Sequence, residues 1–230
     1  KYALSQAAAA LFTRQAQDAI TDHGRFSVLL AGGETPRHTY EMLALEPLRS
    51  QIPWPQVHFF WGDERCVAAD DPSSNALMAH RAFIDTLQLS PAQLHPIRCE
   101  CLPEQAAENY EAELHRFFGE QPPRFDLVFL GLGEDGHTAS LLPGSEALQE
   151  EIRWTAVTRR TNEHFSRITV TAPLINQAAL VVFLVTGRNK AEVLQSILEA
   201  TNQDQYPAQL IKPLRGDVYW WVDGEAAGNT

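Results

Sequence analysis

The stretch Phe125-Asp126-Leu127-Val128-Phe129-Leu130-Gly131-Leu132-Gly133-Glu134-Asp135-Gly136-His137-Thr138-Ala139-Ser140 runs an apolar segment straight into a glycine-rich turn carrying two carboxylates and a histidine. Unbroken apolar residues bounded by turn residues read as a strand buried on both faces, the kind found in a parallel sheet covered by helices. The same run imitates two nucleotide motifs, and both fail on context. Gly131-x-Gly133-x-x-Gly136 has the dinucleotide spacing, which needs a long helix after the turn and an acidic residue about 20 positions on. Here Pro143 and Gly144 cut the next segment short, and Glu134 and Asp135 would repel a pyrophosphate. Gly131-x-x-x-x-Gly136-His137-Thr138 is a P-loop with histidine in place of the lysine that reaches the terminal phosphates. What remains is a strand that delivers a proton-transfer group to a sheet edge.

Further apolar, β-rich runs lie at 26–31, 57–61, 154–158, 167–171, 180–186 and 218–222 beside that at 126–130, with helical patterns at 3–20, 37–48, 74–87, 103–118 and 189–200. Strands alternating with helices predict an α/β three-layer sandwich around a mostly parallel, Rossmann-like sheet. Four of the strands run into glycine, at Gly32-Gly33, Gly62, Gly131 and Gly187. In an open parallel sheet such ends share the edge where ligands bind, near the switch in strand order. Four loops remote in sequence are therefore expected to be neighbours. Without repeats, low-complexity tracts or a long linker, residues 1–230 read as a single domain.

The net charge of −11 argues against nonspecific binding to nucleic acid or an anionic membrane, and no apolar run is long enough to span a bilayer. An anionic small molecule would need a local cluster of cations. Three cysteines, Cys66, Cys99 and Cys101, form an odd set without a disulfide pattern, which fits a reducing cytosol. Cys99-x-Cys101 is not zinc spacing and has no second pair, so no metal site is expected. No signal peptide is visible, and a cytoplasmic location is expected.

Each strand-end loop carries candidate chemistry. Ala31-Gly32-Gly33-Glu34-Thr35-Pro36 offers close backbone approach, with Thr35 as a helix cap and Pro36 at the first helical position, an arrangement suited to an anion and equally to an ordinary turn. Gly62-Asp63-Glu64-Arg65 offers a guanidinium for phosphate or carboxylate, with Asp63 and Glu64 to orient it or a histidine; Ser74 or Asn75 further on can cap a helix. His137 is the candidate acid–base group, and Asp135, two residues earlier, can fix its tautomer. Arg188 and Lys190 put positive charge at a helix start, where cations are disfavoured unless an anion binds, and Arg167 can add to them. A covalent nucleophile is not expected: there is no Gly-x-Ser-x-Gly elbow, no strained turn activates Ser140, and Cys66 has no evident histidine partner in sequence.

Taken in order, Ala31 to Pro36, Gly62 to Arg65 with Ser74-Asn75, Gly131 to Pro143, Arg167-Ile168-Thr169 and Gly187 to Lys190 resemble the signatures of the 6-phosphogluconolactonase family over nearly the whole chain. The resemblance implies a fold shared with glucosamine-6-phosphate deaminases and ribose-5-phosphate isomerases. It implies a hydrolase of carbohydrate metabolism that opens the sugar-phosphate lactone 6-phosphogluconolactone in the oxidative pentose phosphate pathway, without a cofactor. It also implies that His137 is the general base. The family often has serine where this chain has Glu34, so Glu34 is expected to point away from a phosphate. On that reading His137 activates water, Asp63 or Asp135 stabilises the imidazolium, and Arg65 or loop amides receive the oxyanion. Gly32, Gly33 and Thr35 hold the distal phosphate, with Arg167, Arg188 and Lys190 as further candidates.

Two rivals stand beside it. One is a sugar-phosphate deaminase or isomerase on the same scaffold, disfavoured because deaminases usually carry an Asn-Glu-Pro tail and a tyrosine after Asp-Glu, where this chain has Thr138-Ala139-Ser140 and Arg65. The other is a catalytically inactive sugar-phosphate-binding regulator, against which the joint presence of His137 and Arg65 counts. The sequence leaves the oligomeric state open, a monomer included.

Overall fold

The computed structural model describes residues 1–119, 123–199 and 205–228. Strands β1 (Phe26–Leu30), β2 (Val57–Trp61), β3 (Asp63–Arg65), β4 (Leu94–His95), β5 (Leu127–Leu130), β6 (Thr155–Thr158), β7 (Arg167–Val170), β8 (Leu180–Val185) and β9 (Asp217–Val222) form two sheets. Six of them make a parallel sheet in the order β4-β2-β1-β5-β8-β9, as the apolar runs predict. Strand order reverses between β1 and β5, which lie side by side in the middle. The strands ending in glycine are β2, β1, β5 and β8, so their loops are adjacent as expected.

Alternation along β2 shows why the fold has three layers. Phe59 meets Phe12 of α1 (Tyr2–His23) and Phe83, on the side where Tyr40 of α2 (Glu34–Leu43) also packs. Its neighbour Phe60 faces the other way, onto Phe117 and Phe118 at the end of the helix Pro103–Phe118. Successive side chains of a strand point to opposite faces, so an unbroken apolar strand needs a helical layer on each side. Fully buried phenylalanines at 26, 59, 60, 125, 129 and 183 form the centre of this core. Burying each side chain of that size contributes roughly 1.5–3 kcal/mol, which is what makes the strand-end loops a rigid platform.

Two buried tyrosines fix that platform. The Tyr40 hydroxyl donates to the Ala31 carbonyl and accepts from the Ala31 amide, both at 3.0 Å. Tyr110 does the same at Trp61, at 2.9 and 3.0 Å. Each satisfies the backbone where a strand leaves its ladder, a place where unpaired buried polar groups would be costly.

Several features depart from the sequence expectations. Strands β6 and β7 lie outside the parallel sheet, in a separate antiparallel sheet of three strands in which β7 pairs with β3 on one side and β6 on the other. β3 is the charged run Asp63-Glu64-Arg65 and β4 has only two residues, so neither carries a periodic apolar signal. The helical pattern at 189–200 begins as a 3-10 turn over Arg188–Lys190, with the α-helix at Ala191–Glu199; residue 200 lies outside the described residues. Cys66 and Cys99 are joined in a disulfide with Cα atoms 5.1 Å apart, and Cys101 is free and exposed. The expected free thiols fail because the pair, 33 residues apart, meets only through packing of the segments that follow β3 and β4. Among the described residues no helix is long and apolar enough to cross a membrane.

Candidate active site

A cavity of about 220 Å³ opens over the C-terminal ends of β1 and β5, at the switch in strand order. Ala31, Gly32 and Gly33 line it from the first loop, Asp63 and Arg65 from β3, and Gly131 to Gly133 with His137 to Ala139 from the third loop. Arg167 of β7 and Lys190 complete the wall. Loops spread over some two-thirds of the chain thus meet where an open α/β sheet binds its ligands.

The third loop is shaped around His137. The Gly133 amide donates to the His137 carbonyl at 2.8 Å, closing the turn, and the imidazole lies so close over Gly133 that a Cβ there would overlap the ring. Only glycine lets the ring sit against the backbone in this way. Asp135 Oδ1 contacts His137 Nδ1 and also accepts from the His137 amide at 3.2 Å. Among the described residues Nε2 has no hydrogen-bond partner. Burial holds the imidazole below its ordinary range, Asp135 pulls it back upward and the charge of Arg160 pushes it down. Burial works to raise the Asp135 carboxyl, but the hydrogen bonds and charge of His137, with the charge of Arg160, leave it below the usual range.

Of the two candidate aspartates, then, it is Asp135 that touches the histidine. Asp63 is buried and engaged elsewhere: Oδ2 accepts from Ser140 Oγ at 2.6 Å, and Oδ1 accepts from Asn75 Nδ2 at 3.1 Å. Ser140 follows Ala139, whose φ of 48° is a left-handed conformation rare outside glycine. The turn before Ser140 is therefore strained, contrary to expectation, yet it aims the hydroxyl into the interior at Asp63 and away from a nucleophilic role. Glu64 is also interior. Its carboxylate accepts from the amides of Arg65, Asn75 and Ala76, each at 2.8 Å, and from Ser74 Oγ at 3.0 Å. Burial raises its carboxyl, and those backbone bonds oppose the rise. It anchors the N-terminus of the helix starting at Asn75, which Ser74 caps through Leu77, and does not orient a histidine. Asn75 in turn packs against Gly32, where a Cβ would overlap its amide.

The candidate phosphate ligands divide. Gly32, Gly33, Arg167 and Lys190 line the cavity, but Thr35 and Arg188 do not. Gly33, not Thr35, is the N-cap of α2, and Pro36 is third in the helix rather than first; the Thr35 hydroxyl bonds the Thr186 hydroxyl at 2.7 Å, tying α2 to the end of β8. Arg188 is exposed because a 3-10 turn of three residues per revolution sends residues 188 and 190 in different directions. Glu34 turns outward, 75% exposed, and pairs with Arg37 at 2.5 Å. Arg65 lines the cavity and donates from Nη1 to the Ser73 carbonyl at 2.6 Å. Arg167 is held by Glu163, at 2.8 Å from Nε and 2.5 Å from Nη2. The sequence reading missed Arg160 and Glu163, both on the turn between β6 and β7. The one signal available for them is charge in the connection 159–166, a pattern shared with any solvated loop. Among the described residues no three His, Cys, Asp or Glu side chains converge as metal ligands.

A parallel α/β sheet with a cationic, histidine-bearing crevice at its switch point defines a class of small-molecule enzyme folds. Within that class, residues 1–220 match the family model described as glucosamine-6-phosphate isomerases/6-phosphogluconolactonase, and the chain belongs to this family. It is 42% identical to a 6-phosphogluconolactonase of Synechocystis, over 100% of this chain and 95% of the relative. The solved 6-phosphogluconolactonase of Trypanosoma cruzi superposes with a TM-score of 0.89 at 30% identity, covering 99% of this chain and 93% of that one. A monomeric glucosamine-6-phosphate deaminase, 22% identical with a TM-score of 0.82 over 100% of this chain and 97% of its own, shares the fold.

Proposed function

We propose that this chain hydrolyses 6-phosphogluconolactone to 6-phosphogluconate, with His137 as the general base. The observation that carries this reading is an imidazole tied at Nδ1 to Asp135 and presented to a cavity walled by Arg65, Arg167 and Lys190. With its proton on Nδ1 facing the carboxylate, the ring keeps a lone pair on Nε2. That lone pair takes a proton from water as the water oxygen attacks the lactone carbonyl. Arg65 and the amides of the glycine loops are the donors available to the resulting oxyanion. When the carbonyl re-forms, the ring C–O bond breaks and the imidazolium returns its proton to the departing oxygen. The new carboxylic acid ionises and releases one proton to solvent.

The phosphate lies at the far end of the substrate from the reacting carbonyl. Lys190, Arg167 and the Gly32-Gly33 amides are its proposed ligands, and holding it positions the carbonyl without taking part in the bond changes. Asp63 acts at one remove in this scheme, by fixing Ser140 and Asn75 beneath the cavity. Residues 1–230 serve as one catalytic domain, supported by the family match over 1–220. A cytoplasmic setting belongs to the same proposal, on the ground that a multiply charged sugar phosphate does not cross a bilayer unaided; the Cys66–Cys99 disulfide removes the cysteine argument for it. The test is proton release on fresh 6-phosphogluconolactone in the presence of a chelator, corrected for spontaneous hydrolysis. Enzyme-dependent release supports the proposal. Release no faster than background, with ammonia formed instead from glucosamine 6-phosphate, would turn the assignment to the deaminase branch.

A further inference from the structure

Arg160 begins the turn that joins β6 to β7 and reaches back over the third loop. Its Nη2 lies 2.8 Å from His137 Nδ1 and 3.1 Å from Asp135 Oδ2, and its Nε is 4.0 Å from Glu163 Oε1. Two unlike partners thus compete for one ring nitrogen. The Asp135 carboxylate only accepts and needs a proton on Nδ1; the guanidinium only donates and needs a lone pair there. A neutral imidazole can satisfy one of them. If Arg160 won, the proton would move to Nε2, and the nitrogen left without a protein partner would no longer be a base. The second oxygen of Asp135 gives Arg160 another acceptor, which leaves Nδ1–H to Oδ1.

Resting on the reading of His137 as the base, we propose that Arg160 is a positioning residue with two effects. It holds Asp135 against Nδ1, which leaves the lone pair on Nε2, and it sets a positive charge 2.8 Å from the ring, where it opposes a second proton. Other charged groups share the surroundings of the ring. Asp135 on its own loop and Asp63 on β3 favour the imidazolium, while Arg65 on β3, Arg167 on β7 and Lys190 after β8 oppose it. Arg167 is offset by its bidentate partner Glu163, and Arg160 is the cation in direct contact with the imidazole.

The test joins two readouts in wild type, Arg160→Met and Arg160→Lys: the His137 titration by imidazole NMR, assigned with a His137→Asn control, and the pH profile of kcat/KM. Removing the charge should move the NMR midpoint and the acid limb of the rate upward together, by about one pH unit, a shift typical of one neighbouring charge. Turnover should then fall most on the acidic side, and Arg160→Lys should restore part of the shift. A midpoint that stays put in Arg160→Met overturns the proposal and leaves the base assignment intact. A midpoint that moves while the rate profile does not would instead retire His137 as the base. If Arg160→Met does not fold, Arg160→Gln removes the same charge.

Discussion

His137 and His95 are built alike on one side of the ring and differ on the other. Each has its Nδ1 on a carboxylate, Asp135 for His137 and Glu113, at 2.8 Å, for His95. Each has an arginine paired with that carboxylate, Arg160 in one case and Arg116 in the other. Burial pushes both imidazoles down, His95 to about 4. They differ at Nε2. In His95 it meets His58 Nδ1 at 3.1 Å, and the ring stacks on Phe60 with centroids 4.2 Å apart. Donor-to-acceptor order then runs from His58 through His95 to Glu113, and both nitrogens of His95 are used. His137 keeps its second nitrogen free beside a cationic cavity. A carboxylate–histidine pair therefore does not by itself single out a proton-transfer group; the role proposed for His137 rests on the unspent nitrogen and its surroundings.

The largest expected effect is a direct break of that comparison. His137→Asn should lower kcat by about a hundred- to ten-thousand-fold, the usual range for loss of a general base, while the protein remains folded. His95→Asn should leave kcat within about twofold. Equal losses at the two positions, read by steady-state kinetics on protein of intact circular dichroism, would dissolve the distinction.

A middle-sized effect sharpens the role of the cavity around the free nitrogen. Lys190→Ala should lower kcat/KM on the phosphorylated lactone by about 10- to 100-fold, the scale of one charge-assisted hydrogen bond, and barely change hydrolysis of unphosphorylated gluconolactone. Parallel losses on both substrates would make Lys190 structural.

The smallest effect lies at the second histidine site and concerns stability. Burial, more than the neighbouring His95 and Arg25 charges, lowers His58 to about 4 as well. The unfolded chain binds protons near pH ~6.5, so between that value and about 4 it holds more protons than the folded state. Stability is then fullest above pH ~6.5 and is lost as pH falls through this window. The melting temperature should drop over that range, and His95→Gln should make the drop shallower. An identical pH slope in the variant would show that the pair contributes nothing to it.

Much of the platform was legible in the residues. The runs at 57–61 and 218–222 predict β2 and, to one residue, β9, and the pattern at 103–118 matches its helix end for end. In β2 burial on both faces forces an apolar run with no period to confuse, and in β9, a half-exposed edge strand, the aromatic and β-branched residues give the strand away. The site was legible in part. Gly32-Gly33, Asp135, His137 and Lys190 announce themselves because glycine at a strand end and charge at a helix start are locally unusual. Arg160 and Glu163 are not, since charged residues in a hairpin turn are what solvent alone would select.

By itself, then, the sequence determined the layered α/β fold, which strand ends share an edge, and which loop brings the histidine. These follow from local periodicity and from the stereochemistry of glycine turns. Only the tertiary structure decided that Asp135 rather than Asp63 meets His137, and that Glu64 is consumed in anchoring a helix. It also decided that Lys190 but not Arg188 lines the cavity, that Cys66 pairs with Cys99, and that Arg160 reaches from the connection between β6 and β7 to the His137 loop. Each of these depends on a distance between segments remote in the chain or on where one side chain points, and local periodicity carries no information about either.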